Sequence, residues 1–171
     1  MRQTLFRRPL RLAGLVCACL LLAGPVLARD SLGIFETWGS FRDSGPLHCY
    51  AIAEPIDESG AGRWRPFATI SHWPEKNVRG QLHIRLSRAR RNDADVMLVI
   101  GDRKWRLVAG ASDAWSPTAN HDSFILAKMR AARSMRVSSV AANGAGFVDT
   151  YSLKGAATAI DAAALGCAST R

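Results

Sequence analysis

The sequence predicts a mainly β fold: a β-sandwich-like domain that carries two short helices. Most segments after residue 28 alternate apolar and polar residues with a period of two, as half-buried strands do. Turn-forming residues separate these segments, and only two segments have helical spacing. Strands and helices do not alternate regularly, so the pattern favours antiparallel strands over βαβ units.

Residues 1–28 have the pattern of a cleavable secretory signal peptide. Four arginines and no acid precede the apolar run Leu12–Ala23. Pro25 ends this apolar run shortly before Ala28. We expect cleavage after Ala28, which leaves residues 29–171 as one domain of 143 residues. The alternative is a retained anchor, but a span needs about 20 continuous apolar residues.

Cleavage would reduce the positive charge of the chain. The formal net charge is +9, and loss of the four N-terminal arginines leaves 19 basic residues against 14 acidic ones, a net charge of +5. The predicted signal peptide indicates an exported protein, periplasmic or at the outer surface, without a transmembrane segment after cleavage. Nucleic acid is not an expected partner in that location, whereas anionic lipids and glycans are accessible there.

Cysteine content agrees with export. Cys49 and Cys167 are the two cysteines that follow the predicted cleavage site. In an oxidising compartment we expect them to form a disulfide. The alternative is a buried thiol at Cys49 and an unpaired thiol in the C-terminal tail.

Strands are predicted along most of the remaining chain. In the N-terminal half, Pro66 favours an edge position or a bulge for the strand that contains it. The Gly101–Asp102 turn predicts a hairpin between two later strands. The predicted strands are Ile34–Phe41, His48–Ala53, Arg63–Ser71, Gln81–Ser87, Ala94–Ile100, Lys104–Ala109, Met135–Ala141 and Phe147–Tyr151, with a polar loop at Glu54–Gly62.

Two helices fit the remaining segments. The first is capped by Asp122 or Ser123 and continues to Arg133. Its residues at helical spacing are Phe124, Ile125, Lys128 and Met129. The second is capped by Ser152, spans Leu153–Leu165 and ends at Gly166.

Three segments resemble the exported invasion-associated locus B family of bacteria. They are Phe-Glu-Thr-Trp at 35–38, Cys-Tyr-Ala-Ile-Ala-Glu at 49–54 and Tyr-Ser-Leu-Lys-Gly-Ala at 151–156. The resemblance implies an Ig-like β-sandwich in a non-catalytic envelope protein that acts by binding or structural association. Its partner would be an envelope or host-surface component. The chain lacks the family's additional cysteines, so the family's disulfide pattern is not transferred to it.

The histidines do not form a metal or catalytic motif. His48, His72, His83 and His121 lack the spacing of zinc ligands, and no glutamate completes a hydrolytic zinc motif. We predict no metal, no cofactor and no catalytic residue. A remote alternative is a hydrolase in which the fold brings His121 and Asp122 to a distant serine.

A basic cluster is the candidate site for an anion. Arg85, Arg88, Arg90 and Arg91 lie within seven residues, and guanidinium groups bind phosphate and carboxylate groups bidentately. The cluster suggests an alternative function in which the protein binds a polyanion or a membrane surface. The competing interpretation is a solvated turn whose charges Asp93 and Asp95 balance.

Two tryptophans are each flanked by basic residues, in Arg63-Trp64-Arg65 and Lys104-Trp105-Arg106. Alternation predicts that both indoles face the core while the bases face water. The alternative is an aromatic platform that binds sugars or an anionic ligand.

Overall fold

The computed structural model describes residues 29–56 and 64–168. The predicted signal peptide, and most of the predicted loop Glu54–Gly62, lie outside these ranges. Ten strands and two α-helices are described, together with a 3₁₀ turn at Pro74–Lys76. They are β1 (Arg29–Phe35), β2 (Trp38–Ser44), β3 (Leu47–Ala53), β4 (Phe67–Trp73), β5 (Val78–Arg85), β6 (Val96–Ile100), β7 (Arg103–Ala109), β8 (Asp113–Trp115), α1 (Ala119–Ala131), β9 (Ser134–Val140), β10 (Gly146–Ser152) and α2 (Ala156–Ala168).

All ten strands belong to one antiparallel sheet. Their order is β1-β2-β3-β4-β5-β8-β7-β6-β9-β10. The predicted mainly β class with two short helices is therefore confirmed. Because this order forms one continuous sheet, it does not by itself define the two layers of an Ig-like sandwich, and that finer arrangement stays a prediction.

The inner side of the sheet forms a hydrophobic core shared by both halves of the chain. Leu82 and Ile84 of β5 belong to the same buried cluster as Leu98 of β6 and Val137 of β9. Ile125 of α1 and Ile160 of α2 belong to this cluster too. Both helices therefore pack on the inner side of the sheet.

Two hydrogen bonds join distant parts of the sheet. Trp38, at the start of β2, is fully buried and donates its indole N–H to the carbonyl of Ser152, 2.8 Å away. Ile56, after β3, donates its backbone N–H to the carbonyl of Thr150 at 2.8 Å. Both acceptors lie on β10, so these contacts hold the sheet in a curved form around the core.

The predicted strand Ile34–Phe41 is wrong, because the chain reverses within it. β1 ends at Phe35 and β2 begins at Trp38, with Glu36 in the left-handed region at φ 55°. The backbone N–H and the hydroxyl of Thr37 both donate to the carbonyl of Lys154. This partner, more than 100 residues away, stabilises a reversal that local alternation does not indicate.

The edge position or bulge predicted from Pro66 is also wrong at that residue. Pro66 immediately precedes β4, which lies between β3 and β5, and the register irregularity of β4 lies at Ser71/His72 instead. The sequence reading also missed β8, a strand of three residues that joins β5 to β7. So short a segment shows too little alternation for detection.

Both helices begin elsewhere than predicted. The N-cap of α1 is Thr118, whose hydroxyl accepts the backbone N–H of His121 at 3.3 Å. α2 begins at Ala156, because β10 continues through Ser152. Gly166 lies inside α2, where an added Cβ would come within 2.5 Å of Leu32. The glycine therefore permits close packing against β1 and does not end the helix.

The Cys49–Cys167 disulfide is confirmed. It links β3 to the last turn of α2, with a Cα–Cα distance of 5.7 Å and a sequence separation of 118 residues. Cys49 is fully buried and Cys167 is 8% exposed. The bond therefore fixes the C-terminal helix to the inner side of the sheet.

Replacing both cysteines with serine should lower the free energy of unfolding by about 4 kcal/mol, since the bond closes a long loop in the unfolded chain. Urea unfolding of the oxidised protein and of the Cys49→Ser/Cys167→Ser variant measures this difference. Adding a reductant should destabilise the parent protein and leave the variant unchanged. Equal stability of the two proteins would show that the bond does not constrain the unfolded chain.

Candidate functional site

A groove of about 540 Å³ between β7 and α1 is the strongest candidate for a binding site. Trp105 contributes a half-buried indole from β7, and Phe124 contributes a ring from α1 that is 67% exposed. Exposed apolar side chains that line one groove are typical of binding sites. The groove therefore offers an apolar surface for part of a ligand.

Helical spacing places the α1 side of the groove on one face. His121, Phe124, Lys128 and Ala131 are separated by three or four residues, so they lie above one another. Ala127 and Ala131 line the groove with small side chains, which leave space beside Phe124. The opposite side of the helix carries the buried residues Ile125 and Met129. The predicted stripe therefore divides into a core face and a groove face.

Positive charge surrounds the groove. Arg103, Lys104 and Lys128 line it. Lys128 is 3.1 Å from Asp102, and its hydrogen bond lowers the pKa of that carboxyl below the ordinary value. Within the described ranges, neither Arg103 nor Lys104 has a carboxylate within 4.0 Å. These two cations can therefore bind an anionic group without breaking an ion pair.

Among the described residues, His121 and Asp122 have separate hydrogen-bond partners and do not form the hydrogen bonds of a hydrolase triad. The Nδ1 atom of His121 is 2.8 Å from the hydroxyl of Thr118. Asp122 is buried and accepts hydrogen bonds from the backbone N–H of Leu82, at 2.8 Å, and from the hydroxyl of Ser116. Burial raises the pKa of Asp122. Asp122 thus joins α1 to β5, and it does not orient His121.

The predicted arginine cluster is divided among internal partners. Arg85 is 2.7 Å from Asp113, which also lies 2.9 Å from the Nε2 atom of His83. Arg91 is 2.6 Å from Asp93, as the solvated-turn interpretation expected. The half-buried Arg88 has a buried Nε atom with no hydrogen-bond partner. These contacts weigh against one converging anion site, although the anion-binding role of the cluster stays a prediction.

Arg90 has a clear structural contact set. Its guanidinium donates to five backbone carbonyls at 2.7–3.0 Å, and these belong to Arg91, Asn92, Ala94, Ala109 and Gly110. The contacts join the loop before β6 to the end of β7. Arg90 therefore organises the backbone there, and few of its donors remain for a ligand.

A second, smaller cleft lies on the outer side of β2–β4 and is lined by Arg29, Asp43, His48 and Trp73. The imidazole of His48 stacks on Trp73 with a centroid distance of 3.6 Å and on Tyr50 at 4.7 Å. Its buried Nε2 atom has no hydrogen-bond partner. Burial lowers the pKa of His48 to about 4, and nearby Asp43 only partly opposes this effect.

Trp64 and Trp105 are each partly buried, so neither is wholly a core residue nor wholly an exposed aromatic platform. Trp105 packs against the core with one part of its ring and lines the groove with another. Trp64 is half-buried; its indole N–H donates to the carbonyl of Leu86 at 2.7 Å, and Arg85 lies over its ring at 4.9 Å. Lys104 and Trp105 could be singled out from the sequence, but Arg103 and the opposing ring of Phe124 were missed.

We compared the chain with known protein families, proteins and structures. No protein-family model, curated protein or solved structure matches the chain. No helix in the described ranges is long and apolar enough to cross a membrane. In the same ranges, no group of three His, Cys, Asp or Glu residues is placed to hold a metal ion.

Replacing Arg90 with alanine should lower the free energy of unfolding by about 2 kcal/mol, because several charged hydrogen bonds to carbonyls are lost. Arg91→Ala is the matched control and should change it by about 0.5 kcal/mol or less, since its ion pair with Asp93 is exposed. Denaturant unfolding measures both values. Similar losses in the two variants would contradict the structural role of Arg90.

Acidification should destabilise the protein through His48. The folded-state pKa of about 4 lies below the ordinary value of 6.5, so between these values the unfolded chain binds more protons. The stability contribution is present above about pH 6.5 and is lost as the pH falls toward 4. We expect a loss of about 1 to 2 kcal/mol between pH 7 and pH 5.

The variant His48→Phe keeps an aromatic ring between Trp73 and Tyr50 and removes the titrating group. It should lose most of the pH dependence, and the remainder should come from His72, whose pKa burial also lowers. Tyr50→Phe is the control that retains His48 and the pH dependence. Thermal unfolding at pH 7, 6 and 5 measures all three proteins, and an unchanged slope in His48→Phe would exclude His48 as the source.

Proposed function

We propose that the protein is an exported, non-catalytic binding protein of the cell envelope, and that the groove between β7 and α1 binds an anionic amphiphile. The carrying observation is that the exposed ring of Phe124 lines the same groove as Arg103 and Lys104, two cations that have no carboxylate within 4.0 Å among the described residues. The export pattern of residues 1–28 and the resemblance to the invasion-associated locus B family support the location. The ligand class follows from the groove itself.

The groove combines two kinds of surface. Trp105 and Phe124 favour contact with a hydrocarbon chain or another apolar body, because the ligand would remove their exposed carbon from water. The cations near the hairpin tip favour a phosphate or carboxylate head group. A molecule with both parts, such as an anionic lipid or a lipid-bearing glycan, satisfies both surfaces. Inorganic phosphate alone would leave the aromatic side uncovered, and a fatty acid tail alone would leave the cations without an anion.

The arginine cluster is the second candidate for anion binding. Its support is the density of positive charge at Arg85, Arg88, Arg90 and Arg91 in the sequence. The groove is favoured because the cations that line it include two with no acidic partner among the described residues, whereas Arg85 and Arg91 each form an ion pair.

Titration calorimetry with a soluble lipid tests the proposed function. Dihexanoyl phosphatidic acid, kept below its aggregation concentration, should bind more tightly than dihexanoyl phosphatidylcholine, whose head group carries no net charge. Hexanoate and inorganic phosphate, which each lack one part of the amphiphile, should bind more weakly than the intact lipid. Absence of binding by the parent protein, or equal binding of the two lipids, would contradict the proposal.

Two pairs of variants locate the site. Phe124→Ala should weaken binding of dihexanoyl phosphatidic acid about tenfold, since it removes apolar contact area. Leu165→Ala is its control, because Leu165 is equally exposed, at 69%, but lies on α2. Lys128→Gln should weaken binding severalfold, whereas Arg130→Gln, whose ion pair is with Asp161, should not. Equal effects within a pair would place the site outside the groove.

A further inference from the structure

The outer side of β7, β6, β9 and β10 carries two rows of residues that contain three cations and no acid. The strand register aligns the members of each row across the four strands. We call these rows the basic face. The first row is Lys104, Val99, Arg136 and Thr150, and the second is Arg106, Met97, Ser138 and Val148.

The basic face is open to solvent. Lys104, Arg106 and Arg136 are exposed, and Val148 is 43% exposed. Val99 and Met97 are half-buried between them. The core residues of the same strands point to the opposite side, as the pleat requires. No described segment therefore covers this side of the sheet.

The charge of the basic face is one-sided. Its two rows contain three cations and no acid. One carboxylate lies beside them, that of Asp95, which forms an ion pair with Arg106. Within the described ranges, no carboxylate lies within 4.0 Å of Arg136 or Lys104. The face thus presents a net positive surface in which Met97, Val99 and Val148 lie among long basic side chains.

We infer that the basic face docks on an anionic membrane surface. Long basic side chains can reach lipid phosphates while Met97, Val99 and Val148 meet the interfacial region at the level of the head groups. Such a surface would hold the protein at the bilayer without insertion of a helix. The arrangement goes beyond the proposed groove, because it concerns a different side of the sheet and needs no bound ligand.

The two sites share one residue, which suggests how they would work together. Lys104 belongs to the first row of the basic face and also lines the groove. A membrane bound at the basic face would therefore lie near the end of the groove, where an anionic amphiphile could pass between them. Lys104 is left unchanged in the tests below, so that the two sites can be separated.

Vesicle co-sedimentation at several salt concentrations tests the inference. The protein without the predicted signal peptide, residues 29–171, should bind vesicles of phosphatidylcholine that contain one quarter phosphatidylglycerol. It should not bind vesicles of pure phosphatidylcholine. Binding should weaken steeply as salt increases, because the contact is between surface charges. The double variant Arg106→Gln/Arg136→Gln should reduce the partition coefficient about 20-fold at low salt.

The matched control is Arg79→Gln/Arg130→Gln, which removes the same charge from other sides of the protein. Like the tested pair, it combines one arginine in an ion pair, Arg130, with one that has no carboxylate within 4.0 Å among the described residues, Arg79. It should keep most of the vesicle binding. Thermal unfolding of each variant shows whether the fold is retained.

Several results would overturn the inference: no binding to the anionic vesicles, equal binding to pure phosphatidylcholine, or equal losses in the two double variants. If Phe124→Ala abolishes vesicle binding while Arg106→Gln/Arg136→Gln retains it, the membrane contact is at the groove and the basic face is excluded. If vesicle binding fails but dihexanoyl phosphatidic acid still binds, the inference fails and the proposed groove function stands. The reverse result rejects the groove and supports the basic face.

Discussion

The hydrogen bond from the Trp38 indole to the carbonyl of Ser152 is the contact on which the arrangement of the sheet depends. It joins the start of β2 to the end of β10, which are eight positions apart in the strand order. Because the indole is fully buried, water cannot compete for this acceptor, and leaving the N–H unpaired there would be costly. The curved sheet then encloses one shared core, and the Cys49–Cys167 bond fixes α2 against it.

The same curvature separates structural from available side chains. Inward-facing residues form the core. The two proposed binding surfaces consist of side chains that lie outside this core. The groove lies at the junction of α1 with β7, where Ala127 and Ala131 leave space that larger side chains would fill. The basic face lies on the outer side of strands whose inner residues are buried and mostly apolar, with Ser139 and Asp149 as buried polar exceptions. Neither surface requires a departure from the ordinary alternation of a strand or the periodicity of a helix.

Charge has different consequences in different parts of the molecule. Arg90 uses its donors on backbone carbonyls, and Arg85 and Arg91 bind neighbouring aspartates. These arginines stabilise the fold. Arg103, Lys104 and Arg136 lie where the described chain supplies no acid within 4.0 Å, so their charge is available to an external anion. The density of arginine along the sequence is therefore a weaker guide to anion binding than the absence of an internal partner.

The sequence by itself determined the mainly β class, the positions of most strands, the presence of two helices and the pairing of Cys49 with Cys167. Alternation and helical spacing depend on the local backbone and on burial, and the two cysteines that follow the predicted signal peptide can pair with each other in one way, so these predictions need no knowledge of distant contacts. Only the tertiary structure decided the reversal at Glu36, which depends on Lys154, and the burial of Asp122 against β5. It also brought Phe124 to Trp105 and divided the arginine cluster. Each of these outcomes depends on a partner remote in sequence, which local periodicity does not encode.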